Sequence, residues 1–208
     1  MHTPPIEHDA IRKVATRRDR LLTADALGVS GSAMARMEKE GVLHRVVPGV
    51  YVGAHHKRHP LIEAAGWTLR HPNAVACLLT AAVFYDLTEA FARGTWLFVP
   101  KSASVPRSRI AAVHVVQTAS RLVDPDDDRT NGIVKLRVHG VDLRITGPDR
   151  TTLDLWRYPH KVSREYALDA LRRRTRADDF HMAAFARLAR RLRVWRSIEP
   201  IMQGLTLR

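Results

Sequence analysis

Residues 23–52, TADALGVSGSAMARMEKEGVLHRVVPGVYV, decide the fold of the first part of the chain. Thr23 can cap a short helix, and Ser30 or Ser32 can cap a second helix that stops at Gly41. Two short apolar runs follow, with a proline and a glycine between them, an order that suits a type II turn. This stretch therefore predicts two helices joined by a tight turn, followed by a β-hairpin.

The residues before this stretch predict one more helix. Apolar side chains recur at helical spacing over residues 6–18. The order helix, helix, tight turn, helix and hairpin is that of a winged helix-turn-helix. We therefore predict a winged helix-turn-helix domain over residues 1–54, a polar and basic linker over 55–60, and a second domain over 61–208.

The second domain mixes helical and strand patterns in separate blocks, which predicts an α+β fold with a small β-sheet flanked by helices. The break at His139-Gly140 separates two strands and is compatible with a hairpin. Helices are predicted over 61–71 and 74–87 and in the blocks that start at 147, 163, 178 and 195, and strands are predicted over 95–100, 111–117, 134–138 and 141–146.

The composition is strongly basic. The chain has 34 Lys and Arg against 21 Asp and Glu, a formal net charge of +13. Residues 161–208 carry 12 basic and 5 acidic residues, so the difference of 7 charges places more than half of the excess there. A chain with this charge attracts polyanions such as nucleic acid, an acidic protein or a membrane surface.

Other bulk features narrow the class of protein. The longest apolar run is far shorter than the ~20 residues that a membrane-spanning helix needs, and the N-terminus does not have the pattern of a signal peptide. The single cysteine, Cys77, excludes a disulfide framework and a zinc site built on cysteines. We therefore expect a cytoplasmic protein that does not bind membranes.

The helix over residues 30–40 is the predicted recognition element for double-stranded DNA. Met34 and Met37 share one face and are expected to pack inward, which leaves Arg36 on the outer face, where it could contact guanine. The alternative is a three-helix fold that contacts proteins. The predicted DNA-binding residues are Ser30, Ser32, Arg36, Lys39, His44 and Arg45.

Two stretches resemble metal sites, and in neither is a metal the favoured interpretation. His55, His56 and His59 lie in the linker without a nearby carboxylate or cysteine, so a basic linker that touches the DNA backbone is favoured. In the acidic loop that starts at Asp124, the sixth and twelfth positions are basic, where a calcium loop requires glycine and glutamate. We therefore predict that the acidic loop is a solvated turn, and we predict no metal and no cofactor.

The sequence lacks the common enzyme motifs, among them the P-loop, GxSxG, HExxH and GxGxxG. Asp149 and Asp154 could serve a metal-dependent nuclease. Such a site would need a second pair of carboxylates that converges on them, and the sequence around the start of this helix does not supply one. We favour helix capping and an Arg–Asp pair that fixes this helix to the sheet. The protein is therefore predicted not to be an enzyme.

The C-terminal helices combine an apolar face with a cationic one. This cationic face is either a docking surface for an acidic partner or for DNA, or a solvated surface without a partner. If it docks a partner, the residues expected to bind are Arg172, Arg173, Arg187, Arg190 and Arg191.

Several stretches together resemble the AbiEi family of antitoxins and transcriptional regulators from type IV toxin–antitoxin systems. LTADALGVSGSAMARMEKEGVLHRVVPGVYV (22–52) resembles the N-terminal winged domain of that family. LLTAAVFYDL (78–87) resembles the helix that opens its second domain, TWLFVP (95–100) its first strand, and ITGPDRTTLDLWR (145–157) its later signature. The order and spacing of these stretches carry the resemblance.

The resemblance implies two activities. The first domain would bind the promoter of its own operon and repress it, and the second would neutralise a cognate nucleotidyltransferase-like toxin. The alternative is a stand-alone winged-helix regulator whose second domain binds a ligand or another protein. The gene neighbourhood distinguishes these hypotheses, because only the first expects an adjacent nucleotidyltransferase-like gene.

Overall fold

The computed structural model describes residues 11–109 and 111–206, without the side chains of residues 205 and 206. The chain has the predicted α+β fold class. The described residues within Met1–Pro72, Pro106–Val113 and Leu136–Leu143 form one compact unit (unit 1), and the remaining described residues form a second (unit 2). The division into domains at residues 55–60 stays a prediction.

Unit 1 contains the first four helices and a two-stranded sheet. Residues 11–15 are helical (α1), and the start of the helix predicted over 6–18 lies outside the described residues. The elements that follow are α2 (Ala24–Leu27), α3 (Gly31–Lys39), β1 (Leu43–Val47), β2 (Val50–Gly53) and α4 (Ile62–Arg70).

Local interactions at the helix ends explain α2 and α3. The hydroxyl of Thr23 accepts a hydrogen bond from the N–H of Ala26 at 3.2 Å. The hydroxyl of Ser30 accepts one from the N–H of Ala33 at 3.2 Å, so the cap of α3 is Ser30 and not Ser32. Gly28 ends α2 with φ of 64°, as predicted.

The hairpin of β1 and β2 is antiparallel, as predicted. Gly49 has φ of 74°, the conformation that the predicted turn requires and that glycine adopts without strain. An isolated antiparallel bridge joins Leu22 to Tyr51 beside the hairpin. Together with the helices, these residues enclose an apolar core made of Ile11, Leu22, Ala33, Met34, Met37, Leu43 and Tyr51.

Unit 2 is built on a mixed sheet. The five strands lie in the order β5–β4–β3–β7–β6, in which β3 pairs antiparallel with β4 and parallel with β7. The elements from β3 onward are β3 (Val75–Ala76), α5 (Leu78–Phe84), β4 (Thr95–Pro100), β5 (Val113–Thr118), β6 (Ile133–Val138), β7 (Val141–Thr146), α6 (Pro148–Arg157), α7 (Arg164–Thr175), α8 (Met182–Arg191) and α9 (Trp195–Thr206). Of these strands, Val113 and Leu136–Leu143, which includes the β6–β7 turn, are counted in unit 1.

One predicted element is wrong. Residues 74–87 were expected to form a single helix, but they begin as the central strand β3 and become helical only at Leu78. A short, continuously apolar run fits a buried strand as well as a buried helix, so periodicity alone cannot separate the two. These residues form a strand and not a helix because they pair on both sides, with β4 and with β7.

The helices of unit 2 enclose two apolar clusters, one around Phe98 beside β3 and β4, and one around Phe185 between α8 and α9. His139 and Gly140 form the turn between β6 and β7 with φ of 47° and 80°, which confirms the predicted hairpin. Within the described residues, no helix is long and apolar enough to cross a membrane.

Candidate functional site

The outer face of α3 carries the exposed polar side chains that periodicity predicts. Ala33, Met34 and Met37 are fully buried in the core of unit 1. Arg36 is half-buried, and Lys39 is exposed at the end of the helix. Packing of the two methionines therefore fixes which face of α3 is available to a partner.

Arg36 and Lys39 are not paired with an acidic group in the part of the chain that the structure describes, since neither side chain takes part in a salt bridge there. The acidic residues at the end of this helix and directly after it have other partners. Glu38 pairs with Arg45, and Glu40 accepts a hydrogen bond from Arg12 at 3.2 Å. The two cations of α3 thus stay available for an external anion.

The hairpin residues differ from that pattern. The guanidinium of Arg45 binds the carboxylate of Glu38, and it also lies 5.3 Å from the ring centre of Tyr51. His44 is exposed on β1, and its ring centre lies 6.2 Å from that of His56. Arg45 is therefore held by α3 and β2, whereas His44 presents its ring to solvent.

The two predicted serines have different surroundings. Ser30 uses its hydroxyl to cap α3, and its Oγ lies 3.1 Å from the Oγ of Ser32. Both residues are exposed at the start of the helix. Of the two, Ser32 is the better candidate for a contact with DNA, because Ser30 already has a structural role.

A row of four histidines lies in unit 1, and the sequence alone did not group them. The ring centres of His56 and His139 are 6.3 Å apart, and so are those of His59 and His139. Of these four, only His56 and His59 belong to the histidine cluster predicted in the linker. His44 lies on β1, and His139 lies in the β6–β7 turn, far along the chain. His55 instead accepts a hydrogen bond on its carbonyl from Arg18 at 2.9 Å.

The hydrogen bonds of this row do not match a set of metal ligands. The N–H of Leu61 donates to Nδ1 of His59 at 3.1 Å, so the neutral ring of His59 carries its proton on Nε2. No group of three or more His, Cys, Asp or Glu among the described residues could hold a metal ion.

Burial, and then the charge of Lys57, lower the pKa of His59.

The predicted linker is attached to the segment that precedes α2. Besides the bond from Arg18 to His55, the N–H of Lys57 donates to the carbonyl of Arg18 at 2.6 Å. Arg17, Arg18, Lys57 and Arg58 are all exposed. The residues of the linker therefore form an ordered basic surface with residues 17–18, which spacing along the sequence could not reveal.

In unit 2, the five predicted partner-binding arginines differ in what their side chains contact. Arg173 binds Asp169 and Glu89, and its hydrogen bonds to Glu89 and Asp169 raise its pKa. The guanidinium of Arg190 lies 5.1 Å from the ring centre of Trp195. Arg172 is exposed on α7.

The other two arginines, Arg187 and Arg191, line a groove with a volume of about 940 Å³ beside α8. Arg191 donates from Nε to the side-chain oxygen of Asn131 at 2.9 Å. Since Asn131 is fully buried, this bond fixes Arg191 at the edge of the groove.

The carboxylates considered for catalysis are occupied by arginines. Asp154 is fully buried and accepts hydrogen bonds from Arg150 at 2.6 Å and from Arg157 at 2.5 Å. Asp149 accepts one from Arg174 at 2.5 Å. The predicted Arg–Asp pair is present, but Arg150 and Asp154 both lie on α6, and it is the bond from Arg150 to the carbonyl of Asn131 that ties α6 to another segment. The predicted capping is wrong, because Gly147 is the N-cap and no side chain caps α6.

The acidic loop before β6 is only partly the solvated turn that the sequence indicates. Asp124 and Asp126 are exposed, as expected. Asp128 is buried, because the guanidinium of Arg144 binds both of its oxygens, at 3.0 Å and 2.5 Å. The partner of Asp128 lies on β7, too far along the chain for local sequence patterns to indicate it.

The fold of this chain is similar to that of a solved structure. No family model and no curated protein matches the chain. Among solved structures, the crystal structure of the RV2827C protein from Mycobacterium tuberculosis is similar, with a TM-score of 0.60 and 16% sequence identity. The match covers 90% of this chain and 72% of that one. At this identity, the likeness concerns the fold alone.

Proposed function

We propose that the protein is a DNA-binding transcriptional repressor of its own operon that also acts as the antitoxin of a nucleotidyltransferase-like toxin. The DNA-binding half rests on one observation: α3 directs Arg36 and Lys39 away from a packed core, and no acidic partner within the described residues neutralises them. The helices α1 to α3 and the β1–β2 hairpin follow the order of a winged helix-turn-helix, with α3 as the recognition helix and the hairpin as the wing.

The contacts follow from side-chain chemistry. The planar guanidinium of Arg36 suits the two acceptors that guanine presents in the major groove. Lys39 presents a single charge and suits a phosphate. His44 and the basic surface around Lys57 supply further backbone contacts. Arg45 contributes less, because phosphate has to compete with Glu38 for its guanidinium.

The direct test is binding of the full chain to the DNA upstream of its gene, compared with a shuffled duplex of the same composition. We expect preference for the upstream duplex and an affinity that falls steeply as salt rises, since each neutralised phosphate releases counterions. Equal affinity for the two duplexes at every salt concentration would contradict the repressor function.

The antitoxin half rests on the resemblance of four stretches of the chain to AbiEi-type antitoxins, with the cationic helices of unit 2 as the compatible surface. Its test is co-expression with the neighbouring gene, scored as growth. We expect expression of the neighbour alone to arrest growth and the full chain to restore it. A neighbour that arrests growth whether or not the chain is present would exclude the antitoxin function.

A second candidate is a stand-alone regulator whose unit 2 binds a ligand or another protein. It is favoured by a second groove, about 1010 Å³ in volume, next to α7. Apolar side chains of Leu168, Phe180, Met182 and Ile201 line this groove. An operon without a nucleotidyltransferase-like gene, together with promoter binding that changes on addition of a metabolite extract, would favour this candidate. Neither candidate function includes catalysis.

A further inference from the structure

The groove beside α8 has properties that identify the kind of partner it fits. It is bordered by α8, by the first residues of α6 and by residues 128–135. Val134 and Leu188 supply apolar surface to it, and Val134 is 38% exposed. The groove therefore offers an apolar surface that this chain leaves uncovered.

Four cations surround this apolar surface: Arg129, Lys135, Arg187 and Arg191. In the described part of the chain, Arg129 and Arg187 form no salt bridge, and the contacts of the other two with acids are long. Lys135 lies 3.9 Å from Asp128, and Arg191 lies 3.5 Å from Asp127.

The acids of the groove do not balance these cations. Asp128 is bound by the buried Arg144, and Asp149 by the buried Arg174. Both carboxylates thus pair with arginines other than the four at the edge, and Arg174 also pairs with Asp179, which does not line this groove. The edge of the groove consequently keeps an excess of positive charge.

The walls of the groove are fixed before any partner arrives. Gly132 has φ of 66°, and a Cβ on it would lie only 2.9 Å from Leu188 and 3.0 Å from Arg150, so three segments meet there at close range. Its carbonyl accepts a hydrogen bond from Gly147 at 2.8 Å. A preformed groove loses little conformational entropy on binding.

We propose that this groove binds an acidic segment of a partner protein, in which carboxylates meet the four cations and apolar side chains cover Val134 and Leu188. Identifying this partner with the toxin rests on the proposed antitoxin function, whereas the chemistry of the segment rests on the groove alone. A single-stranded nucleic acid fits less well, because such sites stack bases on aromatic rings, and no aromatic side chain of the described residues lines this groove.

The test uses the full chain and a short fluorescein-labelled peptide of alternating glutamate and leucine, followed by fluorescence anisotropy. Peptides of lysine and leucine, and of glutamate and serine, are the matched controls. We expect saturable binding of the glutamate–leucine peptide, weaker binding of the glutamate–serine peptide and none of the lysine–leucine peptide. Arg187→Glu should weaken binding of the first peptide by about tenfold, since like charges then face each other.

The matched control variant is Arg196→Glu, which makes the same charge change at an exposed arginine of α9 that does not line the groove. Both variants should keep the urea midpoint of the natural chain. The groove assignment is overturned if the natural chain ignores the glutamate–leucine peptide, or if Arg196→Glu weakens binding as much as Arg187→Glu. It is also overturned if a single-stranded oligonucleotide displaces the peptide at a lower concentration than unlabelled peptide does.

The same variants separate this inference from the proposed function. If the peptide binds as expected but co-expression does not restore growth, the antitoxin function fails and the groove assignment stands. If co-expression restores growth equally with Arg187→Glu and with the natural chain, the antitoxin function stands and the groove is not its binding site.

Discussion

The arginines of the two units are used in opposite ways. On α3 of unit 1, Arg36 has no acidic partner among the described residues and is only half-buried. On α6 of unit 2, Arg150 is fully buried and donates hydrogen bonds to Asp154 and to the carbonyl of Asn131, at 2.6 Å in both cases. Arginine thus serves in unit 1 as a cation without an acidic partner, called the open cation below, and in unit 2 as a buried donor that links segments of the chain, called the internal tie below.

The comparison teaches that a basic composition does not locate a binding surface. Removing a guanidinium from water is costly, so a buried arginine persists only where acceptors surround it. Arg144, Arg150 and Arg174 each pair with a carboxylate and are unavailable to partners, although Nη1 of Arg144 and Nη2 of Arg150 are buried without a hydrogen-bond partner. An anion can bind where a cation has no acidic partner, so the pairing of the cations matters more than how many the sequence contains.

The largest expected effect comes from breaking the internal tie. Asp154→Ala leaves Arg150 buried without its carboxylate, and Arg157 also loses its partner. We expect the free energy of unfolding to fall by about 3–5 kcal/mol, measured by urea denaturation.

The control for this variant is Asp142→Ala, which removes the acid of an exposed pair with Arg137, whose side chains are 65% and 70% exposed. We expect a change of only about 0–1 kcal/mol. Equal losses in the two variants would mean that burial does not govern the strength of these pairs.

The next effect concerns the open cation. Arg36→Ala should remove about 1–3 kcal/mol of discrimination between the upstream duplex and a duplex with one altered guanine, because the bidentate contact is lost. Competition binding with both duplexes measures this difference. If the preference survives intact, Arg36 does not face the bases.

A smaller effect separates Lys39 from Arg45. Lys39→Ala should weaken binding to all duplexes similarly and lower the slope of log affinity against log salt by about 1. Arg45→Ala should lower that slope less, because Glu38 already neutralises Arg45. Titrations at several salt concentrations measure both slopes, and a larger change for Arg45→Ala would show that DNA displaces Glu38.

The smallest expected effect concerns a basic group that unit 1 keeps buried, His139. Burial lowers its pKa most, a hydrogen bond with the backbone of Lys57 opposes the shift, and the charges of His56 and His59 add to it. When the folded pKa lies below the unfolded one, the unfolded chain binds more protons, so the stabilising contribution is complete above about pH 6.5 and is lost as the pH falls.

The substitution that tests this pH dependence is His139→Asn, because asparagine tolerates the positive φ of this position. We expect urea denaturation of the natural chain to show a falling free energy of unfolding below about pH 6.5, and the variant to show a shallower fall. His59, whose pKa is also lowered, should keep part of the slope. If the free energy of unfolding depends on pH identically in the natural chain and in the variant, His139 is not a cause of that dependence.

The sequence predicts best where local chemistry decides. Turn residues and helix caps located the β1–β2 hairpin, the β6–β7 hairpin and the start of α3. The spacing of Met34 and Met37 correctly gave the buried face of α3. These features depend on residues only a few positions apart.

Other features depend on residues that meet only after folding. The strand β3 was missed because its partners are in β4 and β7. The pairing of Asp149 with Arg174, and the approach of His139 to His59, join residues that no local pattern connects. For the same reason, the sequence could not show which of the five arginines predicted to bind a partner already pair with an acid inside the protein.

The composition of unit 1 has a practical consequence for dissecting the protein. Unit 1 draws on three separate stretches of the chain, Met1–Pro72, Pro106–Val113 and Leu136–Leu143. No single cut of the backbone can release it whole, so a fragment that ends at Pro72 lacks the β6–β7 turn, whose His139 carbonyl accepts a hydrogen bond from Leu21 at 3.1 Å. Limited proteolysis between the two units would therefore yield pieces that still need each other to complete unit 1.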